Sequence, residues 1–181
     1  MIDKWQTVNI SDNFDLTIFQ AQKVQRKNPV TNKIGVFTVL NSKDWANIIP
    51  ITPEGKIVMV EQYRHGTDEI TLELPGGLIE IGENPHKAAM RECKEETGFV
   101  SDKEPILLGV SRPNPAFLNN KCYSYLWENC VKVCGQNLDT HEVIKIHEFS
   151  QDEVKHKIES GIINHCVILT AFYFFSLRYK F

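Results

Sequence analysis

No apolar run in this chain approaches the ~20 residues that a helix needs to cross a bilayer. The best candidate, Cys166 to Leu177, is broken by Thr170 and Ser176 and reads as a buried terminal helix. The opening Met1-Ile2-Asp3-Lys4-Trp5 lacks the apolar core of a secretory signal, so none is predicted. An excess of positive charge is missing too. Lys and Arg number 20 against 23 Asp and Glu, the net charge is −3, and no basic stripe is present. That argues against a nucleic-acid surface, whose affinity rests on clustered cations; Arg178-Tyr179-Lys180 is too short to supply one. Cysteines are few and odd in number: Cys93, Cys122, Cys130, Cys134 and Cys166. A secreted disulfide framework favours even counts in a smaller chain. Cys130-x3-Cys134 resembles half of a zinc ligand set, but no second pair stands at a fitting distance, and His141 and His147 lack the spacing. Free thiols in a reducing cytoplasm are the expectation. No repeat, low-complexity tract or linker interrupts the 181 residues, of which 42% are hydrophobic. The chain can bury a real core, and one compact region of mixed α/β type is predicted.

Strand signals fill the first third. Phe14 to Phe19 alternates in part and is followed by the turn-like Asn28-Pro29; Ile34 to Leu40 and Trp45 to Ile51 follow. Beyond the turn Thr52-Pro53-Glu54-Gly55, Lys56 to Arg64 carries Ile57-Val58-Met59-Val60, apolar on both faces as in a strand buried on both sides. A short strand is predicted at Thr71–Leu74, others at Ile106–Val110, Lys121–Val133 and Glu142–Phe149. Tyr123, Tyr125 and Trp127 share one face of the long one. Ser150-x-x-Glu153 is a capping box that opens a helix ending near Gly161, and a last helix starts about Asn164.

The chemistry is concentrated in Gly77 to Phe99, GLIEIGENPHKAAMRECKEETGF. Gly77, Glu83, Arg91, Glu92, Glu95, Glu96 and Gly98 follow the spacing G-x5-E-x7-R-E-x-x-E-E-x-G. Asn84 is a good N-cap, Pro85 fits the first helical position, and Gly98 suits the left-handed position after the last turn. A helix between them puts Glu92, Glu95 and Glu96 on one face, since each residue turns by about 100°. Carboxylates that close repel one another unless a cation compensates. Oxygen-only donors suit a hard divalent ion, Mg²⁺ or Mn²⁺. The competing reading is a solvated acidic face, which most charge runs are. Seven fixed positions would match by chance roughly once in 10⁸ placements, which favours a site.

This stretch resembles the signature of the Nudix hydrolases, enzymes that split a diphosphate linking a nucleoside to another group. All its polar positions match; Cys93 departs from the bulky aliphatic residue usual there. The resemblance implies an α/β/α sandwich with a mixed sheet. Outside the box, Glu61-Gln62-Tyr63-Arg64, Glu73-Leu74-Pro75-Gly76-Gly77, and Pro113 and Pro115 in Ser111-Arg112-Pro113-Asn114-Pro115 resemble the ADP-ribose pyrophosphatase and nucleoside diphosphate sugar branch. That branch implies an N-terminal β-rich dimerisation segment, here 1–45, ahead of the Nudix domain, 46–181, and hence a homodimer.

By the same resemblance Glu92 and Glu96 are metal ligands, Glu95 is a ligand or orients one, and the Gly76 carbonyl completes the set. Arg91 stands four residues before Glu95, so an ion pair across the turn is expected, holding carboxylates rather than substrate. Glu83 ties the preceding loop to the helix. Arg64 is the candidate for gripping the diphosphate, because a guanidinium matches phosphate geometry; the competing reading is a salt bridge at a strand end. Trp45 and Phe117 are candidates for stacking on a base, with core packing as the alternative. Branch members often carry acidic residues before the penultimate strand. Here Leu138-Asp139-Thr140-His141-Glu142 offers Glu142, with Thr140 two positions earlier where some relatives are acidic. The general base is therefore open among Glu142, Asp139 and Glu95. The implied activity is metal-assisted hydrolysis of ADP-ribose or a related sugar nucleotide. The alternatives are hydrolysis of oxidised nucleotides or dinucleoside polyphosphates, and a sensor that binds without turnover.

Overall fold

The computed structural model describes residues 1–181. They form two compact units, one of residues 1–43 with 112–121, the other of 44–111 with 122–181.

The first unit is antiparallel. Its strands are β1 (Gln6–Ile10), β2 (Phe14–Asp15), β3 (Gln20–Lys27) and β4 (Ile34–Asn41), with β3 paired to the other three. The strand expected over Phe14–Phe19 stops at Asp15, whose carboxylate accepts the Thr17 N–H at 2.9 Å. Thr17 takes φ 70°, and that left-handed turn sends the chain back. β3 follows, a polar run with no strand signal of its own, held by pairing with β4 from Gln20↔Asn41 to Lys27↔Ile34. Residues 112–121 attach through the Leu40 N–H to the Phe117 carbonyl at 2.8 Å. Val24 is the one buried apolar side chain of this unit, while Phe14, Ile18, Val36 and Phe37 are exposed.

The second unit carries β5 (Trp45–Ile51), β6 (Ile57–Arg64), β7 (Glu69–Glu73), β8 (Gly76–Leu78), α1 (Pro85–Thr97), β9 (Phe99–Val100), β10 (Ile106–Ser111), β11 (Cys122–Glu128), β12 (Val131–Lys132), β13 (Ile144–Phe149), α2 (Gln151–Glu159) and α3 (Cys166–Ser176). Seven strands form a mixed sheet, β10-β11-β5-β6-β13, with β7 also on β6 and β8 also on β5. Only β11 and β5 run parallel.

Alternation along the central strands buries both faces. Ile49, Ile57, Met59 and Leu126 pack with Val154 of α2 and Val167, Ile168, Ala171, Phe172 and Phe175 of α3. Ile48, Val58, Tyr125 and Trp127 pack on the other face with Ala88, Ala89 and Cys93 of α1. The result is helix, sheet, helix, the layering expected from the Nudix resemblance. Tyr123, Tyr125 and Trp127 do share one face. The single strand expected over Lys121–Val133 is two, because Asn129 at φ 58° breaks it and β12 pairs instead with β9. The expected Glu142–Phe149 strand begins at Ile144.

One irregularity positions the site. β5 and β6 share a single registered pair, Ile51↔Ile57, and then part. β7 adds to β6 and β8 to β5, so the chain passes from Glu73↔Val60 to Gly76↔Asn47 within three residues. The Glu73-Leu74-Pro75-Gly76 stretch thus crosses from one strand to the other, pinned by the Ile48 N–H donating to the Pro75 carbonyl at 3.1 Å. Gly76 has no room for a side chain, since a Cβ would lie 2.3 Å from the Ala46 carbonyl oxygen.

Candidate active site

α1 begins and ends where local chemistry dictates. Asn84 accepts the His86 N–H at 3.2 Å, Pro85 opens the first turn, and Gly98 at φ 75° closes the helix with its N–H on the Lys94 carbonyl at 2.8 Å. Ala88, Ala89 and Cys93 bury one face, and the carboxylates stand along the edge of that same face, with Glu96 itself buried.

Arg91 organises that edge. Its Nε and Nη2 meet the two oxygens of Glu83, each at 3.0 Å, while Nη1 donates to Glu92 at 2.8 Å and Glu95 at 3.1 Å. Nη2 also reaches the Leu78 carbonyl at 3.2 Å. The bonds to Glu83 first, and the charges of its other partners, raise the guanidinium pKa further above its ordinary value. Glu83 is held below the usual carboxylate range by the same bonds, and its Oε2 accepts the Glu80 N–H at 3.0 Å. It therefore ties the loop to the helix, as the sequence suggested.

Glu96 lies beneath this edge, 4% exposed, with its Oε2 accepting the Gly76 N–H at 3.0 Å. Burial pushes its pKa well up, against that hydrogen bond, and the charges of Glu92 and Glu142 add to the rise. Glu92 is raised as well, by burial first, with Arg91 opposing it. A Cβ on Gly77 would sit 2.5 Å from a Glu92 oxygen, so the glycine leaves the space in which that carboxylate rests. In this arrangement no three acidic side chains converge on one point; Glu92 and Glu95 are turned to Arg91 instead. The donor set still fits a hard divalent cation. It is all oxygen, it is partly desolvated, and burial and neighbouring carboxylates raise the pKa of Glu92 and Glu96, a cost that a cation removes.

Glu142 stands in the exposed turn before β13, its carboxylate accepting the Asp139 N–H at 3.1 Å. Its charge reaches Glu92, Glu96 and Arg64. Gln136, which sequence reading passed over, ties this turn to α1: its amide donates to the Glu96 carbonyl at 2.7 Å and the Ile144 carbonyl at 3.0 Å. The Asn137 N–H adds a bond to the Glu95 carbonyl at 2.8 Å.

Arg64 ends β6 with Nε and Nη2 on the two oxygens of Glu73, each at 2.7 Å. Those bonds raise its pKa, and the more distant charges of Glu96 and Glu142 contribute. It is therefore in a salt bridge, within reach of the charges of Glu96 and Glu142. Glu73, read before only as part of a motif, is a buried anion that the sequence did not single out. Trp45 packs partly buried against the core on the α2 and α3 side. Phe117 is exposed in the first unit, on segment 112–121.

Comparison with known proteins adds to this geometry. The NUDIX domain family model matches residues 43–165. A methanol dehydrogenase activator from Bacillus methanolicus is 32% identical over 132 residues, 72% of this chain and 71% of that protein. An ADP-ribose pyrophosphatase from Bacillus subtilis (strain 168) is 31% identical over 114 residues, 62% of this chain and 61% of that protein. A crystal structure of an ADP compounds hydrolase superposes with TM-score 0.85 over 97% of this chain and 94% of its own, at 19% identity, which supports the fold.

Proposed function

This chain belongs to the Nudix family, and from that premise we infer that it is a pyrophosphohydrolase of ADP-ribose or a related nucleoside diphosphate sugar. The products are a nucleoside monophosphate and a sugar phosphate. The observation that carries the reaction is the Arg91 guanidinium gathering Glu83, Glu92 and Glu95 beside the buried Glu96. The substrate class rests on the relative named as an ADP-ribose pyrophosphatase.

Glu92, Glu96 and the Gly76 carbonyl are the groups that would hold Mg²⁺ or Mn²⁺, with Glu95 as a ligand or as an orienter of one. Bound there, the ion neutralises diphosphate charge and acidifies a water. Arg91 keeps the carboxylates in place, and Arg64 presents its outer edge to a phosphate oxygen. Glu142 accepts the proton of the attacking water as the new oxygen–phosphorus bond forms and the anhydride oxygen leaves. Trp45 is the candidate stacking surface for the base.

A panel of ADP-ribose, other sugar nucleotides, oxidised nucleotides and dinucleoside polyphosphates tests this reading, with products separated and identified. ADP-ribose should yield AMP and ribose phosphate. EDTA should abolish turnover, and Mg²⁺ or Mn²⁺ should restore it. Turnover confined to the last two substrate classes would replace the substrate assignment. ADP-ribose binding without any turnover would make the protein a sensor.

The protein acts as a homodimer. Its first unit exposes Phe14, Leu16, Ile18, Val36 and Phe37 around the lone buried Val24, and a second copy would cover them. Light scattering should give twice the 20.8 kDa chain mass at micromolar concentration, and a monomer there rejects the idea. Five free cysteines, three of them buried, fit a reducing cytoplasm. No helix is long and apolar enough to cross a membrane.

A further inference from the structure

Glu73 is 2% exposed, yet each of its oxygens has two donors. Oε1 accepts Arg64 Nε at 2.7 Å and the Thr71 hydroxyl at 2.6 Å. Oε2 accepts Arg64 Nη2 at 2.7 Å and His165 Nδ1 at 3.0 Å. Four donors saturate an ionised carboxylate. Burial alone would raise its pKa, but the bonds from Arg64 and His165 outweigh that and hold it well below the usual range. An ionised carboxylate only accepts, so His165 carries its proton on Nδ1.

His165 occupies an unusual place for that task. It is the N-cap of α3, where Ser, Thr, Asp or Asn would normally bond the helix's own first N–H groups. His165 makes no such bond. Its ring turns to Glu73 instead, on a residue fixed by the adjoining helix, whose Val167, Ile168, Ala171, Phe172 and Phe175 are core. Along the β6–β7 hairpin the registered pairs include Val60↔Glu73, Gln62↔Thr71 and Arg64↔Glu69. The Arg64 side chain therefore runs back along the hairpin to reach Glu73. Its fork is committed there through Nε and Nη2, which leaves Nη1 uncommitted to Glu73 on a side chain 43% exposed.

We propose that His165 is a positioning residue for Arg64: by donating to the buried Glu73 carboxylate it fixes which edge of the guanidinium meets the diphosphate. The inference rests on the function proposed above, in which Arg64 contacts substrate. It makes α3 part of the substrate-binding apparatus, through a chain of two side chains. A two-point anchor on Glu73 from β6 alone would leave that carboxylate free to tilt with the arginine. Donors from β7 and α3 remove that freedom, which is the advantage of a pre-ordered phosphate grip.

The test is a mutant cycle on the full chain with ADP-ribose and Mg²⁺, each variant checked for an unchanged melting transition. His165→Leu should raise KM on the order of tenfold with kcat little changed, as expected when one binding contact is loosened. His165→Asn keeps a donor near the Nδ1 position and should stay close to wild type. Arg64→Lys, which keeps charge beside Glu73 but loses the fork, should raise KM at least as much. Adding His165→Leu to Arg64→Lys should then cost nothing further. Should His165→Leu fail to fold, His165→Phe removes the donor with the ring kept. An equal KM penalty from His165→Leu in both backgrounds overturns the proposal, and so does a His165→Asn as impaired as His165→Leu. A wild-type KM for His165→Leu beside an impaired Arg64→Lys overturns it while leaving the role of Arg64 standing. A wild-type KM for Arg64→Lys overturns both.

Discussion

Glu96→Gln should lower kcat at least ~10²-fold, since a lost transition-state interaction of about 2.7 kcal/mol gives that factor. The substitution keeps shape and an acceptor for the Gly76 N–H, which Glu96 Oε2 now bonds at 3.0 Å, so the fold should survive. The metal-free fold should even gain. Burial raises the folded pKa of Glu96 above its unfolded value, which is about 4.3. Such a group contributes most to stability below its unfolded pKa, and that contribution is lost as pH rises through the folded value. At neutral pH the raised pKa of Glu96 is therefore a cost without a cation, and glutamine removes it. Metal should reverse the order. A ligand at a hundred times its Kd stabilises by about 2.7 kcal/mol, so Mg²⁺ should raise the melting temperature of the wild type and leave Glu96→Gln nearly unmoved. Turnover and thermal shift thus report the same carboxylate independently. A fully active Glu96→Gln would sink the assignment of Glu96 as a ligand.

What made α1 legible was that its signals are local. Asn84, Pro85 and Gly98 each act within a turn of their own position, and all three do what their chemistry suggested. The same holds for Ser150 and Glu153, whose reciprocal bonds open α2. The strand Trp45–Ile51 was readable because its apolar run is bounded by turn residues. β3 was not, because Gln20-Ala21-Gln22-Lys23 has weak strand propensity and owes its conformation to partners on both sides. Thr17 and Asn129 break expected strands by adopting positive φ, which a β-branched residue rarely does and which Asn does only in some contexts. Membership of 112–121 in the first unit has no local signal at all; it depends on bonds to Leu40.

The site divides along the same line. The spacing around Arg91 predicted an ion pair with Glu95, and the bonds to Glu92 and Glu83 complete it. Glu73 was invisible as an anchor because three sequence-distant features make it one: the parting of β5 from β6, the hairpin that returns Arg64, and the start of α3. Gln136 escaped for a like reason, since its two acceptors lie on α1 and β13.

Glu142 carries the second large expected effect, because its place combines exposure with a charge that reaches the half-buried Glu92 and the buried Glu96. A base must meet a water, so an exposed carboxylate at the edge of the cluster suits the role better than the buried Glu96 or the Arg91-bound Glu95. Glu142→Gln should therefore cut kcat by ~10²-fold, the lower range for general-base loss, while KM changes little. Asp139 lends Glu142 its backbone rather than its side chain: its N–H donates to the Glu142 carboxylate at 3.1 Å, and its carbonyl accepts the Glu142 N–H at 3.0 Å. Asp139→Asn leaves both groups in place and should be mild. The pair is to be compared under saturating Mg²⁺, so that a shift in metal affinity does not pass for a loss of base. A crippled Asp139→Asn beside a healthy Glu142→Gln would move the base to Asp139. Two healthy variants would return the role to Glu95, which would then have to exchange its bond with Arg91 for one with water.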